Sequence, residues 1–69
     1  MTIKEIRTAC NMTQAAFAKE LGIPKRTIEN WETGSRAPHD YIVELIRFRM
    51  AETIEKNNLQ KHLDKSLKA

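Results

Sequence analysis

The sequence predicts an all-α fold, a compact domain of four to five helices, on three observations. No stretch alternates β-branched and aromatic residues with polar ones as a strand would, while Ala, Leu, Glu, Lys and Arg recur throughout. The two glycines and two prolines, Gly22, Pro24, Gly34 and Pro38, all fall between residues 22 and 38, so the chain breaks are concentrated there. Around those breaks, apolar residues recur at spacings of three and four, the period of a helix with one buried face.

A first helix is expected from about Thr2 to Cys10, with Ile3, Ile6 and Cys10 on one face. Asn11 suits the left-handed position that follows a helix end. Thr13 is the N-cap candidate of a second helix, about eight residues long, which carries Ala16, Phe17, Ala18 and Leu21 and stops at Gly22. Ala18 is small where two helices joined by a tight turn must approach closely, and Gly22 permits the positive φ that the turn needs. Pro24 is tolerated in the first turn of a third helix, from about Pro24 to Trp31, because its missing N–H has no helical partner there. Ile28 and Trp31 anchor that helix. After Gly34 and Pro38, the residues Tyr41, Ile42, Leu45, Ile46 and Met50 mark a fourth helix from about His39 to Met50. Residues 52–69 are mostly polar, and Leu59, Leu63 and Leu67 would form a narrow stripe on a fifth helix, with Asn57-Asn58 as a break before it. The expected core is Ile3, Ile6, Met12, Phe17, Leu21, Ile23, Ile28, Leu45 and Ile46, with Trp31 half-buried against the turn. The division that follows is a domain over 1–50 and a helical extension over 51–69.

With 69 residues, 41% of them hydrophobic and 30% charged, the chain is apolar enough to fold and too short to enclose a large substrate cavity. At this size a single core gives little net stability, so self-association is expected to contribute. The formal charge of +3 suits a polyanionic partner without requiring one. Cys10 stands alone, which fits a reducing compartment, and its expected role is a small hydrophobe. Residues 1–9 mix charges with isolated apolar positions unlike a signal peptide, and no apolar run approaches a membrane span, so a cytoplasmic protein is expected.

The set Thr13-Gln14, Ala18, Gly22, Ile23, Ile28, Trp31-Glu32, Gly34 and Pro38 resembles the helix-turn-helix of phage repressor and Cro proteins and the large bacterial regulator family related to them, over Ile3 to about Ile46. The resemblance implies a repressor-like fold and a sequence-specific double-stranded DNA-binding protein, a transcriptional regulator of repressor type working as a homodimer. Its third helix would lie in the major groove, where each base pair displays a distinct pattern of donors and acceptors. Between its buried points this helix is expected to expose Lys25, Arg26, Thr27, Glu29 and Asn30. In the family the base-reading positions map to Lys25, Arg26 and Asn30. Arg and Lys can donate to guanine O6 and N7, and Asn can pair with adenine N6 and N7. By the same mapping Thr13, Gln14, Thr27, Thr33, Ser35 and Arg36 contact phosphates, with Gln14 at a helix N-terminus that attracts anions. Arg7 and Glu32 match a pair that forms a structural salt bridge in some repressors. Pro24 departs from the family, in which a serine or threonine is common at that position. Glu29 and Glu32 would repel phosphates unless turned away or, for Glu32, paired with Arg7.

No nucleophile-base pair, carboxylate pair or glycine-rich loop marks a catalytic site, so no enzymatic activity is expected. His39 and His62 lie 23 positions apart with no cluster around them, so neither a metal nor a cofactor is expected. A second reading stays open: a protein-interaction module, such as the antitoxin of a toxin-antitoxin pair, holding its partner through 51–69. The leucine stripe could clasp a partner helix, close a homodimer or fold back on the core.

Overall fold

The computed structural model describes residues 1–68, with side chains described through Gln60. Four helices follow one another: α1 Ile3–Ala9, α2 Gln14–Leu21, α3 Lys25–Thr33 and α4 Asp40–Lys68. No strand occurs among the described residues.

Local chemistry sets the ends of the first three helices. Thr2 and Glu5 form a capping box on α1: the Glu5 amide donates to Thr2 Oγ1 (3.1 Å) and the Thr2 amide to Glu5 Oε1 (2.8 Å). Those hydrogen bonds hold the exposed Glu5 carboxyl below its ordinary value. At the end of α1 the chain reverses through Asn11, the single non-glycine residue with positive φ among those described (58°). The Met12 amide reaches back to the Arg7 carbonyl and the Asn11 amide to that of Thr8. The same pattern closes α2, with Ile23 donating to Ala18, Gly22 to Lys19 and Gly22 at φ 70°. Any other residue at Gly22 would meet open space but would have to adopt a left-handed backbone. Thr13 caps α2 through a hydrogen bond from the Ala16 amide (3.1 Å). Pro24 sits just before α3 rather than within its first turn. The helix also runs two residues past Trp31, to Thr33, because the reversal is made by Gly34 at φ 85°.

The core unites Ile3, Ile6, Cys10, Phe17, Ala18, Ile28, Ile46 and Met50, with Met12, Leu21, Ile23, Trp31, Ile42, Val43 and Ile54 packed partly buried against it. Burial pushes the Cys10 thiol above its ordinary value, which keeps it protonated and unreactive. α1 packs against both α4 and α3, and α3 against α2.

Two expectations about the last helix are corrected. Leu45 is not in the core: it is 60% exposed, and Met50, one turn past Ile46, fills the inner position. Nor is there a break at Asn57-Asn58, since a single helix runs through both. Asparagine has only a small helix penalty, roughly 0.7 kcal/mol. Here Asn57 is half-buried, and its Nδ2 donates to the Ala9 carbonyl at the end of α1 (2.9 Å). That carbonyl has no amide partner within α1, so the bond both satisfies a helix end and holds α4 against it. Asn57→Ala is expected to lower stability by about 1 kcal/mol and to speed amide exchange in α4 beyond Ile54, as hydrogen-deuterium exchange would report. Leu59 is exposed, and the side chains of His62, Leu63 and Leu67 lie outside the described residues.

Candidate nucleic-acid interface

A three-helix junction fixes how α3 sits. Arg7 Nε and Nη2 donate to the two carboxylate oxygens of Glu32 at 2.7 and 2.9 Å, and Nη1 donates to the Met12 carbonyl at 3.0 Å. Gln14 Nε2 adds a third donor to Glu32, at 3.1 Å. Side chains from α1, the start of α2 and the end of α3 thus meet on one carboxylate, whose side chain is 6% exposed against 17% for Arg7. The Arg7 hydrogen bond is the largest influence on Glu32. With the Gln14 bond and the charges of Arg7 and Lys4, it outweighs burial and holds the carboxyl below its ordinary value of 4.5. Glu32 is therefore turned away from any phosphate and neutralised.

With its inner side anchored by Ile28, Trp31 and Glu32, α3 turns Lys25, Arg26, Glu29, Asn30 and Thr33 outward. Four of these, Arg26, Glu29, Asn30 and Thr33, line a shallow groove on the helix surface. Asn30 is half-buried. So is Thr27, which lies on the flank toward Trp31 and is less open than the sequence pattern suggests.

On α4, Arg47 pairs with Glu44 (2.8 Å) and Lys56 with Glu52 (3.6 Å), and Arg49 reaches Glu20 on α2 at 3.9 Å. By contrast Lys25, Arg26 and Arg36 are exposed and have no anionic partner among the described residues. Arg26 and Glu29 are three apart, as Glu44 and Arg47 are, yet they form no ion pair, consistent with the less favourable order of acid after base along a helix. Unpaired cations on an outward polar edge suit an external anion, and Lys4 on α1 and Lys19 on α2 are exposed without an ion pair among the described residues as well.

Several of the remaining residues singled out for phosphate contact are partly engaged in hydrogen bonds within the protein. The Thr13 hydroxyl oxygen accepts from Ala16, which leaves its O–H free to donate. Gln14 spends one amide N–H on Glu32 and keeps the other. Thr33 and Ser35 hydroxyls lie 3.1 Å apart, and Thr33 also donates to the Asn30 carbonyl. The Arg36 amide donates to that same carbonyl (3.2 Å), which fixes the backbone that carries the Arg36 side chain. The Gln14–Glu32 bond has no local sequence signal, because the two residues are 18 apart and meet only through the fold.

Two short helices joined by a Gly22 turn, the second presenting a polar edge, define a helix-turn-helix protein. The helix-turn-helix family model matches residues 3–46, and the chain belongs to that family. It is similar to antitoxin HigA-2 of Vibrio cholerae serotype O1, at 39% identity over 54 residues, covering 75% of this chain and 52% of the relative. The chain thus spans about half the length of the curated relative that it matches. No solved structure matches it significantly. Among the described residues no group of His, Cys, Asp and Glu could hold a metal ion, and no helix is long and apolar enough to cross a membrane.

Proposed function

We propose that this protein is a sequence-specific binder of double-stranded DNA, a transcriptional regulator of repressor type without enzymatic activity, working as a cytoplasmic homodimer. Residues 1–50 are its DNA-binding unit and 51–69 its C-terminal extension, along which α4 runs as far as Lys68. The observation that carries this reading is the outward edge of α3. There Lys25 and Arg26 stand without anionic partners beside Asn30, on a helix whose other side is locked by the Arg7–Glu32–Gln14 junction. Membership of the helix-turn-helix family supports it. In this reading Lys25, Arg26 and Asn30 meet base edges in the major groove, and Thr13, Gln14, Thr27, Thr33, Ser35 and Arg36 hold the backbone. Two copies related by a two-fold axis would place their α3 helices in successive major grooves, about 34 Å apart.

Binding titrations on a cognate duplex and on random duplex, over a range of salt, test the division of labour. Arg26→Ala and Asn30→Ala are each expected to cost about 1–3 kcal/mol on the cognate duplex and little on random duplex. Arg36→Ala is expected to weaken both alike and to lower the salt slope by about one. Equal losses for all three on both duplexes would contradict it.

The name of the Vibrio relative favours a second reading within the same class: a DNA-binding antitoxin whose extension, 51–69, also holds a protein toxin. Co-purification of a co-expressed toxin with the full chain, lost when residues 51–69 are removed, would favour it over a regulator acting alone.

A further inference from the structure

The outward edge of α3 carries a carboxylate among its cations. Of the two acids on this helix, Glu32 is taken by Arg7 and Gln14. Glu29 is exposed, and its carboxylate has neither an ion pair nor a hydrogen bond among the described residues. It lines the same shallow groove as Arg26, Asn30 and Thr33. At 3.6 residues per turn these four side chains fall within an arc of about 100° on the side away from Ile28, with Asn30 at one limit and Glu29 at the other. A helix that carries Arg26 and Asn30 to base edges therefore carries Glu29 into the groove with them.

We infer that Glu29 is a specificity-determining residue whose carboxylate accepts a hydrogen bond from the N4 amino group of a cytosine and excludes the other bases at that position. The inference rests on the DNA-binding reading above. A carboxylate only accepts hydrogen bonds. In a groove walled by phosphates it gives up water and meets like charge, so its place there is tolerable only against a donor. The major-groove edge offers two kinds, the amino groups of cytosine and adenine; guanine presents O6 and N7 and thymine O4, acceptors that repel it. Cytosine fits better of the two. Adenine N6 lies beside the acceptor N7, which the amide of Asn30 can satisfy and the carboxylate of Glu29 cannot. Arg26, three residues earlier, brings a guanidinium that can donate to guanine and offsets the negative charge beside it. A single G·C pair can thus serve both side chains, Arg26 on the guanine and Glu29 on the cytosine. Selection of this kind works by rejecting wrong bases as much as by holding the right one.

Selection from a random duplex pool at one stated salt concentration, with the parent, Glu29→Ala and Glu29→Gln in parallel, tests this, with circular dichroism confirming that each variant is helical. The parent motif is expected to hold a cytosine at one position of each half-site. Glu29→Ala is expected to lose that preference and keep the rest of the motif. Glu29→Gln is expected to admit adenine there, because an amide can donate to N7 while it accepts from N6. Binding titrations then use the selected duplex with 2-pyrimidinone, a cytosine lacking its 4-amino group, in place of that cytosine. The change is expected to weaken the parent at least about 10-fold more than it weakens Glu29→Ala, the size of one hydrogen bond to a charged group. A parent motif without the cytosine would overturn the inference, as would a cytosine retained by Glu29→Ala. So would adenine excluded by Glu29→Gln as strictly as by the parent, or equal losses on the 2-pyrimidinone duplex. In each of those results the parent still selects a motif, so the DNA-binding reading stands; a parent that selects none removes both.

Discussion

Arg7→Ala is expected to cost about 3 kcal/mol of folding stability, the low end for breaking a buried ion pair. The substitution removes two hydrogen bonds from Glu32 and one from the Met12 carbonyl, and leaves a carboxylate that is 6% exposed with Gln14 as its remaining hydrogen-bond donor. For 69 residues the whole stability is on the order of 3–10 kcal/mol, so urea denaturation should find the variant near the edge of folding. Glu32→Gln is expected to cost less, because no charge is then stranded inside and Arg7, at 17% exposure, can turn toward water. The pair also gives stability a pH dependence. Glu32 has a folded pKa below its unfolded value, so its contribution is complete above about 4.5 and is lost as pH falls through the lower, folded value. The parent protein should therefore lose stability on acidification below 4.5 more steeply than Arg7→Ala does. A cost under about 1 kcal/mol, with no change in the acid limb, would mean that the junction behaves as a surface pair.

Phe17→Ala is expected to be at least as severe, at about 3–5 kcal/mol. Phe17 is fully buried on α2, in the cluster where residues of all four helices meet. Truncation leaves a cavity that a chain with so few core residues has little means to fill. Phe17→Leu, which keeps most of the volume, is expected to cost under about 1.5 kcal/mol. The two variants separate cavity from composition. Thermal unfolding followed by circular dichroism reads both, and near-equal effects would show that the site tolerates collapse.

The elements legible in the sequence are those set by short-range rules. Asn11 adopts the left-handed conformation its position suggests, Thr13 caps α2, and Gly22 makes the turn, because each depends on a few neighbouring residues. The Thr2–Glu5 box was equally local and is present in the sequence as Thr-Ile-Lys-Glu. The outward edge of α3 also follows from its own periodicity once Ile28 and Trp31 are placed inside. What was not legible depends on the fold as a whole. Two apolar stripes run along α4, and counting spacings does not say which one meets the core. The spacing therefore suggests Leu45 for the inside, whereas it is exposed, and does not single out Phe48, three from Leu45 and seven from Tyr41, as an outer residue. The helix crosses Asn57-Asn58 because of a hydrogen bond to a residue 48 positions away, which no local preference anticipates.

The central claim is that the polar edge of α3 reads duplex DNA by sequence. It is tested most directly by selecting bound sequences from a random duplex pool, at one stated salt concentration, with the parent protein and Asn30→Ala in parallel. The expected result is an enriched, roughly palindromic motif with half-sites about 10 base pairs apart, and loss of preference at one position of each half-site for Asn30→Ala. No enrichment over the starting pool, or one motif selected equally by both proteins, would contradict it.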